Sequence, residues 1–232
     1  MSLSTKNIKG GESAGMLKNI VPGQHKLKIN GIELKRFSFM DADQGYYLNM
    51  NVETESIEGF EGFLKDYNDE SKGRYDGQIG AVKMNRYYYK DGTTKGGIEI
   101  NRDEEILKAI KRLCAATGCT GWFDDVDGKY NTIEEFVNGF NTSAPFADQY
   151  VKMTVAGREY QKQSGYIGYD LFLAKNTKGK LNIESADAKI SKLVPFNEDE
   201  HWTKFVAEEV TDFGDMPSAG TPDLSGAPDF EL

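Results

Sequence analysis

Two alternating segments joined by a turn, then a capped helical block, then two more alternating segments: this order constrains the chain more than any other feature of its 232 residues. In HKLKINGIELKRFSF, His25, Leu27 and Ile29 fall on one side and Lys26, Lys28 and Asn30 on the other, the period-two pattern of a strand with one buried face. The pattern continues past Gly31, where a bulge or bend would fit a strongly curved strand. YYLNMNVE repeats it, with Leu48, Met50 and Val52 facing one way and Tyr47, Asn49 and Asn51 the other, and DADQG at 41–45 has the composition of the turn between them. FEGFL reads as a third strand and GIEI at 97–100 as a short further one.

The helical block is marked by its caps. Asn101 followed by Glu104 makes a capping box, Ile106, Leu107, Ile110, Leu113 and Cys114 line one face, and Gly118 stops the helix. Thr132 and Glu135 repeat the box ahead of Ile133, Phe136, Val137 and Phe140. YVKMTVAG and YIGYDLFLA then supply two more strands, KNTKGK a loop or hairpin tip, and HWTKFVAEEV at 201–210 a short helix. The expected class is mainly β with inserted helices, an α+β chain. Three strands, helices and two strands are the order of a five-stranded OB-like Greek-key barrel, although a split sheet packed on two helices would read the same way.

Charge divides the chain sharply. From Asn197 onward there are ten Asp/Glu and one Lys, a net of -9, whereas residues 1–196 hold 27 Lys+Arg against 27 Asp+Glu; the whole formal charge of -9 lies in the last 36 residues. A neutral body is free to carry a basic face, which a uniformly acidic one is not. Residues 1–19 are Gly/Ser/Lys-rich and are expected to form a flexible arm, 20–196 the folded domain, and 197–232 a disordered acidic tail for protein interaction. Cys114 and Cys119 alone make no disulfide framework, no apolar run approaches a membrane span, and the N-terminus lacks a signal-peptide core, so a cytoplasmic protein with no membrane partner is expected.

The most unusual stretch is KGRYDGQIGAVKMNRYYYKDGTTKGG. Lys72, Arg74, Lys83, Arg86, Lys90 and Lys95 outnumber Asp76 and Asp91, and Tyr75, Tyr87, Tyr88 and Tyr89 are interleaved with them. Basic side chains track a phosphate backbone, and aromatic faces stack on bases that are not already paired, at about 1–3 kcal/mol per base. Lys35, Arg36 and Phe37 at the end of the first strand join this set, as do Tyr46 and Tyr47 at the start of the second and Arg158, Tyr160, Lys162, Tyr166 and Tyr169 around the last hairpin. They fall on the second and third strands and on the two loops that form the cleft of an OB-type barrel. The competing reading is a strand whose rings pack inward and whose lysines make a solvated edge.

Motifs for catalysis and metals are weak. CAATGC with His25 and His201 lacks the second close pair of a zinc site. FDDVDGKYNTIEE places Asp125, Asp127, Gly128 and Glu134 at positions three, five, six and twelve of a calcium loop but Phe123 at position one. With histidine only at 25 and 201, no nucleophile triad can be assembled, and no phosphate-binding glycine motif is present. No cofactor and no enzymatic activity are expected.

A Tyr/Lys/Arg surface on an OB-type body, followed by an acidic tail with a near-terminal aromatic, resembles the single-stranded-DNA-binding proteins of tailed bacteriophages. The segments that carry the resemblance are GQHKLKINGIELKRFSF, GRYDGQIGAVKMNRYYYKDG, DEEILKAIKRLCAATG and the terminal DFEL. It implies sequence-independent binding and protection of single-stranded DNA during replication, recombination and repair, in a host cytoplasm; the sequence leaves monomer and dimer both open. It also implies that Asp229, Phe230, Glu231 and Leu232 recruit replication proteins such as a polymerase or helicase-primase. Phe230 is third from the end, where members of that family often carry the aromatic last or next to last. Two other readings stay open: a structural or assembly protein of a virion that binds no nucleic acid, and a metal-dependent nuclease using Asp124, Asp125, Asp127, Glu134 and Glu135.

Overall fold

The computed structural model describes residues 17–36 and 45–206. The first sixteen residues, Phe37 and the acidic segment beyond 206, including Asp229, Phe230, Glu231 and Leu232, lie outside the described residues. In chain order the strands are β1 (Gly23–Lys35), β2 (Tyr47–Thr54), β3 (Phe63–Leu64), β4 (Arg74–Tyr75), β5 (Ile79–Lys83), β6 (Gly92–Thr93), β7 (Glu99–Ile100), β8 (Tyr150–Gln161), β9 (Ile167–Leu173), β10 (Ile183–Ser185) and β11 (Trp202–Thr203). The helices are α1 (Arg102–Thr117), α2 (Thr120–Asp125), α3 (Ile133–Ser143) and α4 (Glu198–His201).

Five strands form a ring. β1 pairs with β2, β2 with β5, β5 with β9, β9 with β8, and β8 returns to β1. Every junction is antiparallel except β5–β9, where Val82 and Lys83 run parallel to Leu171 and Phe172. β1 can serve two neighbours because it is long and bent: Gly23 to Lys28 pair with β8, Leu27 to Lys35 pair with β2, and the register slips between Ile29 and Gly31. A bulge at that point lets one strand turn from one partner to the next. The alternation read in the sequence puts Leu27, Ile29, Leu48, Met50, Val52, Val151, Met153 and Val155 into one core, each at most 2 % exposed.

The N-cap side chains act as their residue types require. Asn101 Oδ1 accepts from the Glu104 N–H at 2.9 Å, Thr132 Oγ1 from the Glu135 N–H at 3.1 Å, and Gly118 ends α1 in the left-handed region at φ 77°. α1 packs on β8 and β10, and α3 on β1. Trp122 of α2 lies edge-on to Phe136 and Phe140 of α3, so the short helix just ahead of the failed calcium loop contributes an aromatic ring to the core. Asn141 of α3 fastens the helix to the bent strand: its Oδ1 accepts from Ile32 N–H at 2.9 Å and its Nδ2 donates to Ile32 C=O at 2.7 Å. The β8 pairing of β1 stops at Lys28, so these groups on the edge facing away from β2 would otherwise be orphaned next to a buried side chain.

Three element assignments differ from the sequence reading. The third strand of the ring is β5, not FEGFL, of which only Phe63 and Leu64 form a strand, paired with β4 outside the ring. Gly80 hides β5 from an alternation count; a Cβ there would come within 2.5 Å of the Ile20 side chain. GIEI contributes only β7, paired with β6 in a separate two-stranded sheet. The run 201–210 is not one helix: α4 ends at His201, and Trp202 and Thr203 form β11, parallel to Gly157 and Arg158 of β8. Glu159 secures this segment, its Oε1 accepting from the Trp202 indole N–H and its Oε2 from the Phe205 N–H, both at 2.9 Å. Residues 197–206 are therefore docked on the body, although their composition groups them with the acidic tail.

Candidate nucleic-acid interface

The core takes the Leu48, Met50 and Val52 side of β2, so Tyr47, Asn49, Asn51 and Glu53 occupy its other face. Cross-strand register extends that face. Lys35 of β1 is opposite Tyr47, Glu33 opposite Asn49, and Lys83 of β5 opposite Asn49 from the other side, while Asp170 of β9 is opposite Arg158 of β8. Two grooves cross this surface and share Ala81. One, of about 720 Å³, is lined by Lys28, Asn30, Asn51, Lys65 and Tyr75 among others; the second, of about 480 Å³, by Lys35, Asn49, Lys83, Tyr160, Tyr169 and Asp170.

Tyr47, Tyr88 and Lys83 form the centre of the aromatic surface. The Tyr47 and Tyr88 rings meet edge to face at 5.9 Å, and Lys83 Nζ lies 4.3 Å above the Tyr47 ring while bonding Asp170 Oδ1 at 2.6 Å. Burial, with the charge of Asp170 and the neighbouring Tyr88 phenol, raises the Tyr47 phenol above its ordinary pKa, so its O–H remains a donor across the neutral range. Lys90 Nζ is 5.7 Å from the Tyr88 ring, and the Arg86 guanidinium is 5.6 Å from both Tyr87 and Phe172. Tyr87 is 66 % exposed and Tyr166, at the β8–β9 tip near the exposed Lys162, 76 %. Aromatic rings held this far out of the core are available for stacking.

Two tyrosines of the expected set belong to the core instead. Tyr46 and Tyr89 are 6 % and 7 % exposed and bridge each other through backbone bonds of 3.0 and 2.7 Å. Gly45 permits this approach: at φ 109°, a Cβ would lie 1.8 Å from the Tyr89 carbonyl oxygen. Arg36 belongs with them. Its guanidinium covers the Tyr46 ring at 4.2 Å and donates to the phenol oxygen, which itself donates to Glu134, while Arg102 covers the same ring at 4.9 Å. That hydrogen bond holds the Glu134 carboxyl below its usual range. A base could reach Tyr46 or Tyr89 only by unpacking the core, so neither is a stacking platform.

Other expected residues are placed with acidic partners. Lys72 is paired with Asp66 at 2.5 Å and Asp69 at 3.9 Å, and Arg74 donates to Gly62 C=O at 3.2 Å with Glu70 at 3.8 Å. Tyr75 stays on the first groove, with Lys65 Nζ 5.6 Å from its ring. Tyr169 packs partly against the core and meets Trp202 edge to face at 6.4 Å. Lys28, Asn30, Asn49, Asn51, Lys65 and Asp170 line the grooves without having been singled out from sequence. The signal for four of them was present, since Lys28, Asn30, Asn49 and Asn51 are the non-core positions of the two clearest alternating strands.

Among the described residues no group of three or more His, Cys, Asp or Glu side chains stands close enough to hold a metal ion, and no helix is long and apolar enough to cross a membrane. Glu135 Oε2 accepts at 2.9 Å from the N–H of Asn131, the residue before the Thr132 cap, and Glu134 accepts from the Tyr46 hydroxyl. The first bond is local to the start of α3, and the second ties α3 to Tyr46, 88 residues earlier. Cys114 is buried, and its thiol is pushed far above the ordinary range by burial and by Cys119 beside it. Comparison with protein-family models, curated proteins and solved structures finds no match to this chain.

Proposed function

We propose that this protein binds single-stranded DNA without catalysis, on the face of β2 and β5 that turns away from the core. The observation that carries the reading is the pair of grooves that share Ala81 and are lined by Tyr75, Lys28, Lys35, Lys65 and Lys83, with the Tyr47 and Tyr88 rings joined to the second through Lys83. Flat rings there offer stacking to unpaired bases, and the ammonium groups offer contacts to the phosphates that connect them. A duplex hides its base faces and would leave the rings unused.

The topology supports an OB-type barrel as the scaffold. The ring order β1-β2-β5-β9-β8 closes on β1, the helices α1 to α3 lie between its third and fourth strands in sequence, and the grooves lie over its second and third strands, where such barrels bind oligonucleotides. The acidic segment beyond 206, ending in Asp229, Phe230, Glu231 and Leu232, completes the proposal as a partner-recruiting tail whose apolar pair enters a small pocket and whose acids meet its basic rim.

Fluorescence titration with a 20-nucleotide single strand and the matching duplex tests the reading. Single-strand binding is expected to be preferred and to weaken with salt, with a log–log slope of about -0.7 per phosphate neutralised. No binding at low salt, or equal affinity for the duplex, overturns it and leaves the assembly-protein reading in its place. Truncation after Val206, which spares the docked β11, should tighten binding by removing acidic competitors of the phosphates.

A further inference from the structure

Asn49 is buried to all but 6 %, and its Oδ1 has no hydrogen-bond partner among the described residues. It lies in the wall of the 480 Å³ groove beside Lys35, Lys83, Tyr160 and Asp170. An amide oxygen taken from water and left unmatched is unfavourable, and such groups in folded proteins call for an explanation. Its cross-strand neighbour on β5, Lys83, is already engaged, bonding Asp170 at 2.6 Å and covering the Tyr47 ring. Its cross-strand neighbour on β1, Glu33, is another acceptor. The groove wall therefore holds, just beneath its surface, an acceptor in need of an N–H donor, and the exposed Lys35 on the same groove can serve an acceptor of the same ligand.

We infer that Asn49 reads the Watson–Crick edge of one base of the bound strand and selects bases that carry an exocyclic amine. This inference rests on the single-strand reading and refines it: binding is general along the strand but biased at one position. The exocyclic amine of cytosine or adenine projects from the ring edge toward an acceptor, with a ring nitrogen beside it that accepts from an ammonium. Thymine offers only a recessed ring N–H between two carbonyl oxygens, which an amide oxygen repels.

Cytosine and thymine have similar ring size, so oligo-dC and oligo-dT separate edge recognition from stacking. By fluorescence anisotropy at pH 8, the full-length protein should bind a dC 20-mer between about twofold and tenfold more tightly than a dT 20-mer, the range of one hydrogen bond. Asn49→Leu should bring the two affinities together, whereas Asn49→Asp, which keeps an acceptor and loses the donor, should retain the preference. An oligonucleotide of N4,N4-dimethyl-deoxycytidine, which has no amine N–H, should bind the unaltered protein no better than dT, a result that does not depend on any variant folding. Equal binding of dC and dT, or a preference unchanged by Asn49→Leu or by dimethylation, overturns the inference while leaving single-strand binding intact. Failure to bind any of these strands overturns both.

Discussion

Asp170 is an acid in the middle of the proposed phosphate-binding surface, and its replacement has an expected effect opposite in sign to that of most binding-site mutations. It pairs with Lys83 across 2.6 Å and lines the second groove, so Asp170→Asn removes one negative charge and that ion pair without altering side-chain size. For a phosphate about 7 Å from the carboxylate, at an effective dielectric of about 40, the repulsion removed is about 1.2 kcal/mol before screening. Debye lengths of roughly 30 Å at 10 mM salt and roughly 8 Å at 150 mM leave about 0.9 and about 0.5 kcal/mol. The variant should thus bind a single-stranded 20-mer about fivefold more tightly at 10 mM salt and about twofold at 150 mM. If Lys83 then neutralises one more phosphate, the salt slope steepens by about 0.7. Anisotropy titrations at the two salt concentrations, with thermal melting as a check on folding, measure all of this. Unchanged or weaker binding at 10 mM by a folded variant would place the strand elsewhere and refute the assignment of the groove.

Tyr87→Ala and Tyr88→Ala should each weaken single-strand binding by about 1–3 kcal/mol if its ring carries a base, with little change in melting temperature. Tyr46→Ala or Tyr89→Ala should instead lower unfolding free energy by about 3–5 kcal/mol in urea titrations, because each ring fills core volume. Burial raises the Tyr89 phenol from 10.0 to about 12, so its contribution to stability is complete below pH 10 and lost as pH rises toward 12. Tyr89→Phe should show no such loss, and because the Tyr89 hydroxyl has no hydrogen-bond partner among the described residues it should be as stable as the parent at pH 7; a destabilised phenylalanine variant would contradict the packing described. Asn141→Ala strands both backbone groups of Ile32 and should cost about 2–4 kcal/mol, measured by denaturant unfolding.

What could be read from the chain was local or periodic. Asn101 with Glu104, and Thr132 with Glu135, cap helices through bonds made within four residues, so no distant element is needed to predict them. Leu27, Ile29, Leu48, Met50 and Val52 announce a buried face because strand side chains alternate whatever the partner strand is. The charge partition at Asn197 is a property of composition alone.

Tertiary structure decided what depends on contacts between distant residues. Tyr87, Tyr88 and Tyr89 are chemically identical in the sequence, and only the backbone bridge from Tyr46 draws Tyr89 into the core and leaves Tyr87 in solvent. β5 is short and carries Gly80 opposite Ile20, so it becomes recognisable only as the strand that joins β2 to β9. Trp202 looks like part of an acidic tail until the carboxylate of Glu159, 43 residues earlier, receives its indole N–H. The orphaned oxygen of Asn49 is likewise invisible in one dimension. An alternating strand reveals that Asn49 faces away from the core, but only the closing of β1, β2 and β5 around it takes it out of water and creates the demand for a donor.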